Sequence, residues 1–212
     1  MRRATFVACA ALGAALLSPG SARAEGADGL YGRFDGDLDL RAHAGVAFAG
    51  GGPGLAASLS LVYLATAGIY THYTDALGSG APIVGRSLAA GVHLSPLFLA
   101  RYATGREHGP AFVDLAVDAI AFEMGAFWAA PNRSAWNEHP GLEVALDAGL
   151  PLFAQATGLF LGVRAALRWR PTDFVAGAPG GLVDRGAVLS VTLGWHHVLR
   201  THLVDAGDEV LP

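Results

Sequence analysis

Apolar and polar residues alternate along most of this chain with a period of two. In the stretch "DLDLRAHAGVAF", Asp37, Asp39, Arg41 and His43 take every second position, and apolar residues occupy nearly all the positions between them. Successive side chains of a β-strand point to opposite faces, so this stretch is predicted to be a strand with one apolar and one charged face. Charges of both signs share the polar face.

The same alternation recurs in six further segments, which predicts seven long strands separated by glycine- and proline-rich turns. The predicted strands cover residues 37–48, 55–69, 88–101, 113–123, 142–153, 158–170 and 189–199. Glu123 breaks the parity that Asp114 and Asp118 set, which predicts a β-bulge at residues 119–121. Single-chain bacterial barrels have even strand numbers, so an eighth strand is expected at residues 30–34, before a hairpin turn at Asp35-Gly36.

The first 24 residues have the three-part pattern of a secretory signal peptide. Arg2 and Arg3 precede a short apolar run, and small residues lead up to Ala24. The run is too short to span a bilayer as a stable helix, so cleavage is expected. The single cysteine, Cys9, lies within the signal. Residues 25–212 are then one domain whose stability comes from its core or from a membrane rather than from disulfides.

Composition narrows the class of protein. Mean hydropathy is high at +0.40, yet charge recurs throughout and the net charge is −4. Nothing is basic enough to indicate nucleic-acid binding. A helical membrane protein is the alternative, since residues 53–74 carry no charge and Asp114 and Asp118 are spaced four apart, as on one helix face. Against it, the charges of the first strand would wind all round a helix, and glycine is frequent within the segments.

Three features predict that the apolar face points outward. The segments are long, and the polar face consists mainly of small residues with a few charges, which suits a narrow lumen. Aromatic residues collect towards segment ends, as in the interfacial girdles of membrane barrels. These aromatics are Phe48, Tyr70, Tyr73, Tyr102, Trp128, Trp169 and Trp195. The predicted fold class is all-β: an antiparallel up-and-down transmembrane β-barrel of eight strands after a cleaved signal peptide.

By this pattern, residues 30–200 resemble the small bacterial outer-membrane β-barrel proteins of the OmpA/OmpX-like class. The resemblance implies localisation in the cell outer membrane of a Gram-negative bacterium. The implied partners are outer-membrane lipid and the barrel assembly machinery. It also implies a structural or surface-interaction role, with no cofactor and with a lumen plugged by salt-bridged side chains, since eight strands leave room only for side chains.

The charged residues of the polar face are predicted to form one network in the lumen. Its predicted members are Asp37, Asp39, Arg41, His43, Arg101, Asp114, Asp118, Glu143, Asp147, Arg164, Arg168 and His196. Closing the hairpin between residues 153 and 158 places Asp147 opposite Arg164 and Glu143 opposite Arg168. A second predicted hairpin, with Thr104 opposite Ala111, likewise places Arg101 opposite Asp114.

Eight histidines raise the possibility of chemistry, but no catalytic residue or metal ligand is assigned from the sequence. Two alternatives to the leading hypothesis stay open. One is a rim-active outer-membrane enzyme of the lipid-modifying or protease type. It would require His72 or His139 to lie within hydrogen-bond reach of a Ser, Asp or Glu. The other is a soluble periplasmic lipocalin-like barrel with its apolar face inward, binding a ligand.

Overall fold

The computed structural model describes residues 31–49, 52–77, 85–106, 109–130, 135–170 and 186–201. The predicted signal peptide, Cys9 and Leu30 lie outside these residues. No described helix is long and apolar enough to cross a membrane.

Eight antiparallel strands form a closed barrel, each strand pairing with its neighbours in chain order and β1 pairing with β8. The strands are β1 Leu38–Ala49, β2 Gly52–Tyr63, β3 Ala67–Ala76, β4 Arg86–Leu94, β5 Ala121–Ala130, β6 Gly141–Pro151, β7 Gly158–Trp169 and β8 Gly186–Leu199. Two short helices, α1 Pro96–Ala103 and α2 Ala111–Asp118, lie between β4 and β5. The predicted all-β, eight-stranded antiparallel barrel is therefore confirmed.

The strand register fixes the dimensions of the barrel. A path once around the barrel can be followed by stepping from each residue to its paired residue on the next strand. Starting at Leu38, this path passes through Tyr63, Ala67, Leu94, Phe122, Leu146, Ala165 and Leu189 and ends at Phe48. The path starts at Leu38 and returns to β1 at Phe48, which is a stagger of about 10 residues over the eight strands. With ordinary strand spacings this stagger tilts the strands by about 40°, so a strand of 12 residues rises about 30 Å along the axis.

The two ends of the barrel differ. We call one end of the barrel the terminal end. It carries residues 31–37, the turn at residues 64–66, the helix pair α1–α2, the connection at residues 152–157 and the end of β8. At the other, the loop end, lie the connections between β1 and β2, β3 and β4, β5 and β6, and β7 and β8. The described chain therefore both enters and leaves at the terminal end.

Four of the predicted strands differ from the strands in the structure. Residues 55–69 are not one strand but parts of β2 and β3 with a tight turn between them, and this hairpin supplies the strand missing from the count. Residues 31–34 form a turn rather than a strand. The predicted strands 88–101 and 113–123 each combine a strand with a helix. In place of the predicted bulge, α2 ends at Asp118 and β5 begins at Ala121.

The apolar face of every strand points outward, and the charged face lines the interior. Large apolar side chains on this outer face are substantially exposed, among them Leu55, Leu59, Ile69, Val92, Met124, Leu146, Leu167 and Leu193. Among the described outward strand positions, only Asp75 and Arg86 are charged, and they face each other at the loop end. The sequence-based prediction that charge lies inside and apolar residues outside is thus correct for these strands.

Small residues on the inner face make room for the large ones. A Cβ atom added at Gly162 would lie 2.6 Å from Thr192 Oγ1 and 3.1 Å from His43 Nδ1. A Cβ at Gly194 would lie 2.3 Å from Cγ of the same histidine. The His43 ring therefore fits only because β7 and β8 carry glycine where they face it.

Two substitutions on β7 test this packing. Gly162→Val and Ala165→Leu each add three carbon atoms, the first towards the lumen and the second outward. We expect Gly162→Val to lower the free energy of unfolding by about 1–3 kcal/mol through overpacking. Ala165→Leu should change it by less than about 0.5 kcal/mol. Denaturant unfolding of the refolded barrel measures both, and equal costs would show that the space beside His43 is not limiting.

Candidate functional site

A chain of polar contacts begins near the terminal end of the lumen. Asp39 Oδ2 accepts a hydrogen bond from Arg41 Nε at 2.6 Å, and Arg41 Nη1 donates to His93 Nε2 at 3.3 Å. The other ring nitrogen, His93 Nδ1, lies 3.0 Å from Glu123 Oε1. These partners fit a neutral His93 that carries its proton on Nδ1 and donates it to the Glu123 carboxylate.

The middle of the lumen holds two carboxylates and two guanidinium groups. Arg164 donates from Nε to Glu123 Oε2 at 2.7 Å and from Nη2 to Glu143 Oε1 at 2.6 Å. Arg168 Nε donates to Glu143 Oε2 at 2.6 Å, and its Nη1 donates to Ser87 Oγ at 2.8 Å. We call these residues, Asp39, Arg41, Ser87, His93, Glu123, Glu143, Arg164 and Arg168, the lumen cluster.

The lumen cluster runs almost the full height of the barrel. Asp39 is the second residue of β1 from the terminal end, and Ser87 is the second residue of β4 from the loop end. All members except Asp39 are buried, and Glu143 is completely so. Aromatic rings complete the packing, since Arg164 lies over Tyr70 and Arg168 over Phe127, with guanidinium-to-ring distances of 5.2 and 5.1 Å. Paired side chains therefore occupy most of the interior.

A histidine pair lies beside the cluster. His43 Nε2 and His196 Nε2 are 2.9 Å apart, so one nitrogen must donate and the other accept. The His196 ring stacks on Phe160 at a centroid distance of 3.8 Å. A cavity of about 30 Å³ lies between this pair and the terminal end, bordered by Arg33 and Asp118 among others.

A second set of ion pairs closes the terminal end, and we call it the terminal clamp. Arg101 of α1 bonds to Asp114 and, at 3.0 Å, to Asp118 of α2. Arg33, from the segment before β1, lies 2.6 Å from Asp118. The hydroxyl of Tyr31 donates to Asp114 at 3.0 Å. The clamp thus ties the helix pair to the segment that precedes the barrel.

The two acids of the clamp differ in their titration. Burial alone would raise the pKa of Asp114, but hydrogen bonds from Arg101, Tyr31 and the Gly109 amide hold that pKa below its ordinary value. For Asp118, burial prevails over the attraction of its arginine partners and raises the pKa. Ionisation of Asp114 therefore stabilises the folded protein more than ionisation of Asp118 does.

The predicted register of the β6–β7 hairpin is confirmed, because Asp147 faces Arg164 and Glu143 faces Arg168. Only the second couple is an ion pair in the structure. Arg164 reaches past Asp147 to Glu123 and Glu143, and Asp147 forms no salt bridge among the described residues.

Other predicted network residues are distributed between the lumen and the terminal end. Asp39, Arg41, His43 and His196 lie on inward strand positions, and Asp37 precedes β1 at the terminal end. The predicted strand register that brought Arg101 opposite Asp114 is wrong, because both residues lie on helices. They nevertheless pair, within the terminal clamp.

Sequence reasoning missed five members of these sites: Ser87, His93, Glu123, Arg33 and Tyr31. The signal for Glu123 was present. Its odd number differs in parity from Asp114 and Asp118 because β5 begins at Ala121, after the helix ends, and odd positions of β5 face the lumen. Arg33 has no periodic neighbours, so only the fold brings it to Asp118.

The predicted interfacial aromatics lie in different places. Phe48, Trp128 and Trp169 point outward near the loop end, and Trp195 points outward near the terminal end. Tyr102 lies instead on α1, where its ring contacts Phe34 and Phe98. Tyr73 is on an outward position of β3, but Tyr70 points into the lumen and is 3% exposed.

The contact that the enzyme alternative requires is present, but not at the rim. His72 Nε2 lies 3.3 Å from Ser190 Oγ, and each residue is only 1% exposed, so the pair is shut inside the barrel. His139 is exposed beside the loop end. Within the described part of the chain, no three His, Cys, Asp or Glu side chains are grouped as a metal site needs.

Geometry alone defines the class to which this chain belongs: a small closed eight-stranded barrel with buried salt-bridged side chains inside. No family model matches the sequence, and no curated protein matches it.

Glu143 and Asp147 lie on the same face of β6 and form a matched pair for testing the cluster. Glu143→Ala leaves Arg164 and Arg168 without their shared carboxylate, so we expect it to cost about 3–5 kcal/mol of unfolding free energy. Asp147→Ala removes no ion pair and should cost less than about 1 kcal/mol. In a double-mutant cycle, Glu143→Ala and Arg168→Ala should couple by about 0.5–3 kcal/mol. Additive single effects would contradict the pairing.

The terminal clamp gives a pH-dependent prediction. A carboxylate with a lowered pKa in the folded state stabilises the protein above the ordinary Asp pKa of about 3.9, and the gain is lost as pH falls further. Asp114→Asn should therefore be less stable than the wild type at neutral pH, with the difference shrinking below about pH 4. Asp118 titrates in both proteins, but in the variant its pKa loses the raising effect of the Asp114 charge. Denaturant titrations across this range measure the difference, and a constant gap would be the contrary result.

Proposed function

We propose that this chain is an outer-membrane β-barrel protein with a structural or surface-interaction role and a closed lumen. The observation that carries the proposal is the reversed polarity of the barrel. Charged groups are paired inside, and exposed leucine, isoleucine, valine and methionine side chains cover the outside. Only closed barrels and helices satisfy all backbone groups within a bilayer, and the barrel here is closed.

The dimensions support the same proposal. A rise of about 30 Å for a strand of 12 residues is enough to cross the hydrocarbon core of a bilayer. Outward Phe48, Trp128 and Trp169 near one end and Trp195 near the other are arranged as interfacial girdles. The charged outward residues Asp75 and Arg86 lie at the loop end, beyond the apolar band.

Orientation follows from the lengths of the connections. Outer-membrane barrels have short periplasmic turns and longer extracellular loops. Three of the four connections at the loop end are long, at residues 77–85, 131–140 and 170–185, and two of the three at the terminal end are short, at residues 64–66 and 152–157, so we place the loop end outside the cell. The exception is the connection at residues 95–120, which carries the helix pair at the terminal end. The terminal end is then periplasmic. The predicted signal peptide would direct export, and the barrel assembly machinery and outer-membrane lipid are the expected partners.

A soluble lipocalin-like barrel fits the contacts less well. Such a barrel holds its ligand in an apolar interior, whereas this lumen is occupied by the lumen cluster. Water-soluble monomers rarely expose continuous apolar patches of more than a few hundred Å², and here the whole circumference is apolar. With the interior filled, interaction with other molecules falls to the outer surface and the loops.

Two arginine substitutions test the lipid contact at different depths. Leu146 points outward at the middle of β6, and His197 points outward near the terminal end of β8. In refolded protein in lipid vesicles, Leu146→Arg should cost about 2–4 kcal/mol and His197→Arg at most about 1 kcal/mol. Denaturant unfolding in vesicles measures both.

Cell fractionation tests the same proposal independently. We expect the protein in the outer-membrane fraction, with a gel mobility that changes on heating as a folded barrel opens. Recovery of the folded protein in the soluble periplasm, together with a harmless Leu146→Arg, would reject the proposal.

A further inference from the structure

Like the barrel, the helix pair between β4 and β5 has its charged side chains inside and its apolar side chains outside. On α2, Asp114, Leu115 and Asp118 are buried, and Phe112 and Val113 are exposed. The acids are held on the inner side by the terminal clamp. An ordinary surface helix of a water-soluble protein exposes its charges and buries its apolar residues. Here α2 does the opposite.

The first helix of the pair repeats this arrangement. On α1 only Phe98 is buried, under the guanidinium of Arg33, whose Cζ lies 5.1 Å from the ring centre. Leu97 and Leu99, on the two flanks of Phe98, are exposed, and so is Tyr102, whose ring contacts Phe98. No described residue of α1 apart from Arg101 carries a charge, and Arg101 is turned inward to the clamp.

The exposed apolar side of the helix pair continues the apolar band of the barrel. Leu94 and Phe122, which face each other at the terminal ends of β4 and β5, are outward and exposed. Leu97 is the third residue after β4, and Ile120 directly precedes β5; both are exposed. The connection after β6 adds two exposed apolar side chains, those of Leu152 and Phe153. Exposed apolar side chains thus extend from the strands onto the helices.

We propose that α1 and α2 are a membrane-embedded element. Their exposed apolar side lies in the leaflet on the terminal side of the barrel, and the clamp holds their polar side against the barrel mouth. This inference rests on the proposed membrane location of the barrel and adds a lipid-binding surface outside the strands. An amphipathic helix that lies in the interface buries its apolar face in the headgroup and acyl boundary. The helix pair meets that requirement with its phenylalanine, leucine and valine side chains.

The continuity of the exposed apolar surface from the strands to the helices identifies lipid as the occupant. The helices leave the strands at Leu94 and rejoin them at Ala121, and the outward, exposed side chains of Leu94 and Phe122 lie at these junctions. A bilayer that covers Leu94 and Phe122 therefore also meets the neighbouring Leu97 and Ile120. A second copy of the chain is the competing occupant, and the experiment separates the two.

Single cysteines carrying an environment-sensitive fluorophore test the proposal. In a Cys9→Ser background the introduced thiol is the sole one in the chain. Leu99→Cys and Phe112→Cys report on the helix pair, Leu146→Cys reports on the barrel wall, and Glu138→Cys, exposed beside the loop end, is the aqueous control. The protein is refolded into phosphatidylethanolamine–phosphatidylglycerol vesicles, and quenching by lipids brominated on their acyl chains is measured.

The expected result is strong quenching at Leu99, Phe112 and Leu146, and none at Glu138. Quenching at Leu146 without quenching at Leu99 and Phe112 overturns the inference about the helices and leaves the proposed barrel location intact. Absence of quenching at all four positions overturns both. The measurement is repeated at increasing lipid-to-protein ratios. Helix quenching that is absent at low ratios and rises on dilution would show a second copy covering the helices, which also overturns the inference.

Discussion

The carboxylate of Glu143 is the point on which the interior depends. It is completely buried and holds two arginines, Arg164 and Arg168, each at 2.6 Å. Removing such charges from water costs several kcal/mol per ion, and only complete pairing recovers that cost. The charges must therefore converge within a tube that eight strands keep narrow. Glycines opposite the larger side chains, such as Gly162 beside His43, are a condition of that convergence.

The sequence was enough to predict which face of each strand points into the lumen, because polar and apolar residues alternate with a period of two. It was also enough to predict the register of β6 and β7, because opposite charges on the two strands must face each other. Shifting a strand by one residue would turn every inward charge outward, so the alternation alone decides which residues share the lumen. Opposite charges on neighbouring strands then selected the register in which Glu143 faces Arg168. The actual partners of Arg164 could not be found this way. A guanidinium on a long stem reaches beyond its facing position: Glu143 lies four residues along β6 from Asp147, and Glu123 lies two strands away on β5, whose start had been misplaced.

Two local features escaped prediction for physical reasons. The turn between β2 and β3 places Leu64 and Ala65 at φ values of 46° and 53°, where glycine or asparagine is usual. With neither residue there, nothing in the sequence indicated a break. The helix pair escaped because Asp114 and Asp118 are four residues apart, a spacing that satisfies both a strand face and a helix face. The structure shows that the segment is a helix, α2, with both acids buried on one side of it.

The pairing of β1 with β8 has a consequence for the order of assembly. Seven of the eight strand pairs join neighbours in sequence, but the eighth joins Leu38 to Leu199. Contacts between distant parts of a chain form slowly because a large loop must close first. Glu123, Glu143, Arg164 and Arg168 lie on the three consecutive strands β5 to β7, so their ion pairs need no closed barrel. Until β1 and β8 meet, each presents an open edge of unpaired backbone groups, which makes closure the step most exposed to aggregation.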